Sequence, residues 1–158
     1  MKIASIKELK TELHELPHQD LVSVCLRLAR FKKENKELLT YLLFLSNNEE
    51  EYIEEIKKEM DLQFEMINIS SYHFIKKSIR KILRIIKKHI KYSGNIESEI
   101  ELLLYFCKKL SLFDPPIKNN KVLHNMYHRE ISTIVKKIKQ VHEDLQYDYT
   151  VALKKLSL

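Results

Sequence analysis

Apolar residues recur every three or four positions along nearly the whole chain, the spacing of one face of an α-helix. Ser5 opens S-I-K-E, a capping box with Glu8, and the spacing predicts a first helix from there to about Glu15. Pro17 suits the first turn of a second helix, where its missing N–H costs nothing. That helix carries Leu21, Val24, Cys25 and Leu28 on one stripe. FKKEN interrupts the pattern, and Asn35 is expected to cap a third helix bearing Leu38, Leu39, Leu42 and Leu43, which SNN ends. A fourth helix, from about Glu49, carries Tyr52, Ile53, Ile56, Met60, Phe64 and Ile67. After INISS a fifth carries Ile75, Ile79, Ile82, Leu83, Ile86 and Ile90, and closes at Gly94. Asn95 caps a sixth, with Glu97, Glu99 and Glu101 early and Lys108 and Lys109 late, as the helix dipole favours. FDPP is the strongest break. From about Asn120 a final seam of Leu123, Tyr127, Ile131, Ile134, Val135, Ile138, Val141 and Leu145 predicts one long helix, or two broken near Tyr147.

Short connections favour antiparallel neighbours. The pattern therefore predicts an all-α protein of six to eight antiparallel helices, arranged as an irregular bundle or a short α-solenoid. Residues 1–158 are read as a single helical domain, within which FDPP could set off a C-terminal helical hairpin, 119–158, without a domain boundary. Composition narrows the functions available. Average glycine usage of about 7% would place roughly eleven in a chain of this length, yet Gly94 is the only one. Without glycines no Walker loop or Rossmann fingerprint can form, and tight β-hairpins lose their usual residues. The longest apolar run, Leu102 to Cys107, is far short of the about 20 residues of a spanning helix. MKIASIKELK has no apolar stretch or small-residue cleavage site, so a secretory signal is not expected. Cys25 and Cys107 form no Cys-x-x-Cys motif and each lies in an apolar helical pattern. Two buried free thiols in a reducing cytosol are expected. The wealth of Lys, Ile and Asn fits an AT-rich bacterial genome.

Two histidine pairs invite a metal. HELPH, residues 14 to 18, matches His-Glu-x-x-His, in which a continuous helix brings two histidines onto one face and the glutamate activates a zinc-bound water. Here Pro17 occupies the fourth position. Inside a helix it would clash with the Leu13 carbonyl and remove a hydrogen bond, at about 3 kcal/mol or more. It also pushes Leu16 out of helical dihedrals. A hydrolase built on His14, Glu15 and His18 is thus not expected. His124 and His128, in HNMYH, are four apart on a helix, with Glu130 and His142 nearby. No third ligand is fixed by the spacing, and surface or boundary histidines are the expected reading. No metal, cofactor or catalytic residue is expected, and no Gly-x-Ser-x-Gly elbow is present.

Charge changes the picture more. The formal charge of +6 divides into −4 for residues 1–65, +8 for 66–96 and +2 for 97–158. KKSIRKILRIIKKHIK, residues 76 to 91, holds eight Lys or Arg and no acid. With its apolar stripe turned to the core, Lys77, Lys81, Arg84, Lys88 and Lys91 can line an outer face that neutralises phosphates or rests on an anionic membrane surface. The preceding helix carries eight acids between Glu49 and Glu65. In an antiparallel hairpin those acids could face the bases, and internal compensation or a solvated face is the expected arrangement.

One stretch, LHELPHQDLVSVCLRLARFKKENKELLTYLLF, residues 13 to 44, has Leu16-Pro17 before Asp20-Leu21, then Leu26 and Leu28, then Asn35-Lys36 before Leu38-Leu39. It resembles the opening of an uncharacterised all-helical bacterial domain family, and the resemblance is expected to reach to about residue 110. It implies a helical fold and carries over no catalytic residue. The expected function is a cytoplasmic, non-enzymatic helical protein-interaction module that binds a protein partner or itself, without a membrane span. The alternative is binding of nucleic acid or another polyanion through the basic helix 76–91.

Overall fold

In the computed structural model, which describes residues 2–156, every regular element is helical. The α-helices are α1 (Ile6–Glu15), α2 (His18–Phe31), α3 (Lys33–Thr40), α4 (Glu49–Glu65), α5 (Tyr72–Ser93), α6 (Ile96–Ser111), α7 (Lys121–Ile138) and α8 (Glu143–Lys154). A π turn, Tyr41–Leu45, follows α3, and a 3-10 turn, Ile117–Asn119, precedes α7. The expected all-α architecture is therefore present. None of the described helices is long and apolar enough to cross a membrane. The chain divides into two compact units, 1–44 and 45–158. FDPP lies inside the second, where the Asp114–Pro115 peptide bond is cis.

Local chemistry sets the helix ends. Ser5 accepts a hydrogen bond from the Glu8 N–H while the Glu8 carboxylate accepts one from the Ser5 N–H, completing the capping box. Leu16 and Pro17 are extended, with ψ of 137° and 147°, so α1 stops one residue before Leu16 and α2 starts just after the proline. Asn48, Asn95 and Asn120 each accept a backbone N–H at the start of α4, α6 and α7. Gly94 closes α5 at φ +64°, a left-handed conformation that disfavours any Cβ. An added Cβ there would meet nothing within 4 Å, so the penalty is purely conformational. Gly94→Ala should cost about 1 kcal/mol, and Gly94→Asn less; urea unfolding followed by helical circular dichroism measures both.

Two expected boundaries are corrected. Asn35 does not cap α3, which begins at Lys33; its side-chain amide instead donates to the Leu28 carbonyl at 2.8 Å. That carbonyl is one of the four that α2 leaves without a helical partner, so the asparagine finishes one helix and does not start the next. The final seam breaks at residues 139–142, not near Tyr147. His142 has non-helical ψ of 149° and its ring accepts from the Asp144 N–H, with Glu143 and Asp144 in the first turn of α8. The acids favour the positive end of that helix, and Gln146 donates back to the Val141 carbonyl at 2.8 Å.

In the second unit each helix runs antiparallel to the one before it. Tyr52, early in α4, bonds His89, late in α5. Glu99, early in α6, pairs with Lys137, late in α7. Tyr127 of α7 donates to the Leu156 carbonyl beyond the end of α8. The helix α6 is central, packing on α4, α5, α7 and α8. It buries Ile100, Leu102, Leu103, Phe106, Cys107 and Leu110. At about 1.5–3 kcal/mol for each large apolar side chain removed from water, this one helix supplies a large part of the unit's cohesion. The apolar residues predicted for α4 are all buried, and those of α5 are buried except Ile90, which is half-buried.

The first unit differs in kind. The helices α2 and α3 pack together, but α1, α2 and α3 contain no buried residue, and Tyr41 in the π turn is the only one among the described residues of this unit. Thirteen large apolar side chains from Ile3 to Phe44 are exposed, Ile6 and Phe31 by 81% and 77%.

Candidate functional site

The helix α5 separates its residues cleanly. Ile75, Ile79, Ile82, Leu83 and Ile86 are buried on one side. Lys77, Arg80, Lys81, Arg84 and Lys91 are exposed on the other. Positions 77, 80 or 81, 84 and 91 recur at helical spacing, so these five cations share one face. Lys88 lies between them, half-buried, with its ammonium 5.9 Å over the Tyr92 ring. Arg80 was not among the residues expected for this face, although its i+3 spacing from Lys77 places it there.

The antiparallel α4–α5 hairpin forms, yet much of the acidic charge of α4 is engaged with α6 or along α4 itself. Asp61 pairs with Lys109 at 2.9 Å and accepts from the Tyr105 hydroxyl at 2.8 Å. Glu49 accepts from Ser93 and, at 2.5 Å, from Ser98 at the start of α6. Glu54 pairs with Lys57 at 2.7 Å, and Lys57 reaches Glu101 of α6 at 2.5 Å. Burial pushes the Asp61 carboxyl up, but Lys109 and Tyr105 outweigh it and hold it below the ordinary value. The same contact, after burial, pushes the Tyr105 hydroxyl up to about 12. Burial also works against the charged Lys57, whose two carboxylate partners nonetheless hold it above its ordinary value. This is a polar seam joining α4 to α6. Among the described residues no carboxylate lies within 4.0 Å of Lys77, Arg80, Lys81, Arg84 or Lys91. Of the two expected arrangements, these five form the solvated face, and compensation by α4 does not reach them.

A second polar cluster was not anticipated. Glu130 is fully buried on α7. Lys87 of α5 donates to its Oε1 at 3.0 Å and stands 2.8 Å from Oε2. The Oε2 contact lies within ion-pair distance, but that oxygen accepts no well-formed hydrogen bond. Arg129 adds a contact at 3.1 Å. Burial first, and the Glu130 charge second, push the Cys107 thiol up to about 12, which makes it an inert core residue. Glu130 was legible as a seam position: 123, 127, 130 and 134 follow the same apolar spacing, and the acid sits among Leu123, Tyr127 and Ile134. Beside it Lys87, Ile90, Lys91, Glu99, Leu103 and Thr133 line a shallow groove of about 350 Å³.

The two histidine pairs separate. His14 lies in the last turn of α1 and His18 begins α2, with the extended Leu16-Pro17 step between them, so the helix a zincin needs is interrupted. His124 and His128 do meet on α7, their Nε2 atoms 3.1 Å apart. Glu130 is engaged by Lys87, and His142 caps α8. No group of three or more metal-ligating side chains occurs among the described residues.

In the first unit, Leu26, Ala29, Leu39, Leu43 and Phe44 line a groove of about 650 Å³ whose rim carries Arg30, Lys32, Lys33 and Lys36. The stripe Ile6, Leu9 and Leu13 of α1 borders a second, with Leu21. The molecule these features define is an all-α protein with a packed helical unit, a coreless helical unit and one strongly basic helix face. No protein-family model, curated protein or solved structure matches the chain.

Proposed function

We propose that the chain is a non-enzymatic helical interaction module that associates with a second copy of itself through residues 2–44. The observation that carries this reading is the absence of any buried side chain on α1, α2 and α3. Ordering a residue costs about 1–2 kcal/mol of backbone entropy, and an isolated helix shorter than roughly 12–15 residues is marginal in water. The ten-residue α1 has only its capping box and an unburied stripe to offset that cost. The fourteen-residue α2 carries Leu21, Val22, Val24, Cys25, Leu26, Leu28, Ala29 and Phe31 around more than half its circumference, and helices apolar on so much of their surface are normally covered.

Charge favours a second copy as the cover. The stripe on α1 is flanked by Glu12 on one side and by Lys10 on the other, and the groove between α2 and α3 is lined by four cations beside its apolar residues. Seating α1 of one copy in that groove of another buries apolar against apolar and sets Glu12 toward the groove's cations, a closed two-fold exchange. Sedimentation velocity of the full chain, from low to high micromolar, should reveal a species of twice the 19.0 kDa chain mass. Leu9→Asp with Leu13→Asp should return the monomer. Glu12→Lys should weaken the dimer, and adding Lys36→Glu should restore it. A wild-type chain that stays monomeric throughout, or a charge exchange that fails to restore association, overturns the reading.

A further inference from the structure

We propose that the exposed face of α5 binds the phosphate backbone of double-helical nucleic acid without reading its sequence. Lys77, Arg80, Lys81, Arg84 and Lys91 stand on one side of a single helix, exposed, and without a carboxylate within 4.0 Å among the described residues. From 77 to 91 the helix rises about 21 Å at 1.5 Å per residue. That length reaches phosphates on both sides of a major groove about 12 Å wide. The cations are held in place by the opposite face, where five aliphatic side chains are locked in the core, so little ordering is required on binding. Phosphate contacts of this kind release condensed counterions and give affinity without base discrimination.

Two other polyanions fit less well. A helix lying in a membrane surface buries apolar side chains among the lipids, and the aliphatic side of α5 is already occupied by the core. Single strands are held by bases stacking on aromatic rings that alternate with cations. Between Lys77 and Lys91 the one aromatic ring is the His89 imidazole, half-buried and hydrogen-bonded to the Tyr52 hydroxyl. Tyr72, before the stripe, is half-buried with its hydroxyl bonded to the Pro116 carbonyl at 2.9 Å.

The test is fluorescence anisotropy of the full chain with labelled duplexes of unrelated sequence, at about 50 and about 200 mM salt. Five neutralised phosphates give a log–log slope of about −4.5, a loss of about 500-fold between the two conditions. Lys77→Ala, Lys81→Ala and Arg84→Ala together should reduce the slope to about −1.8, a loss of about 12-fold. All three side chains are exposed, so the variant keeps its fold, checked by helical circular dichroism. A matched variant, Lys118→Ala, Lys121→Ala and Lys139→Ala, removes three exposed cations elsewhere and should keep the wild-type slope. Absence of duplex binding at about 50 mM salt, or equal losses in the two variants, overturns the proposal. So does tighter binding to single strands, or to phosphatidylserine vesicles, than to duplex.

Discussion

Replacing Lys87 with methionine should destabilise the protein by about 2–3 kcal/mol, and adding Glu130→Met should recover most of that loss. Removing one partner of a buried ion pair costs about 3–5 kcal/mol, because a charge is left desolvated without compensation. Here the figure is discounted on two grounds. The Lys87 side chain is 44% exposed, so water already screens part of the attraction. Arg129 also remains at 3.1 Å from Oε1. Apart from Arg129 the carboxylate has no relief from solvent, being fully buried beside Leu123, Tyr127 and Ile134, with Oε2 accepting no hydrogen bond. Glu130→Met alone should therefore lie within about 1 kcal/mol of wild type or above it, since well-packed apolar replacements of buried ions are often neutral or stabilising. The double variant should match Glu130→Met, not the sum of the two single changes. Urea unfolding of all four proteins gives the coupling energy directly. Additive losses would mean that Glu130 is stabilised by its surroundings independently of Lys87.

The pattern of apolar spacing sufficed for the architecture because each helix of the second unit has one face in the core. Tyr52, Ile53, Ile56, Met60 and Phe64 were legible as a buried stripe for that reason. The boundaries that failed were decided by side chains reaching across turns. Asn35 looks like a cap by its place before Leu38 and Leu39, but the Leu28 carbonyl competes for its amide and wins. The break at 139–142 was written in His142-Glu143-Asp144, a cap followed by acids, yet the apolar period of α7 continues in phase far enough to hide it. The basic face was fully visible as composition. Its freedom from compensation was not, because Asp61 turns to Lys109 and Tyr105, which only the packing of α4 on α6 brings to it, while Glu54 turns to Lys57 along α4 itself. In the first unit the same apolar spacing predicts burial that α1, α2 and α3 do not supply for themselves. A stripe in sequence states that a face needs a cover and leaves open where the cover comes from.

Phe106→Ala should be the most damaging single truncation in the second unit, at about 3–5 kcal/mol. The residue is fully buried on the central α6, and its ring lies 6.0 Å from that of Phe64 on α4. Phe64 in turn meets Phe113 at 6.1 Å and carries the Lys109 ammonium 5.8 Å above its ring. Truncation removes the transfer energy of a phenyl ring and leaves a cavity that α6, held by four neighbouring helices, has little room to close. The loss is a large share of the 5–15 kcal/mol that ordinarily separates folded from unfolded chains. Leu112→Ala, at a side chain 75% exposed just beyond the end of the same helix, should change stability by no more than about 0.5 kcal/mol. The chain has no tryptophan, so unfolding is followed by helical circular dichroism, with the urea dependence checked for an unchanged slope. A loss at Phe106 close to that at Leu112 would show that α6 is not the centre of the core. A loss near the expected value with an unchanged slope would place the cohesion of the unit on α6, the helix that also fixes where the α4 acids turn and so leaves the α5 cations facing water.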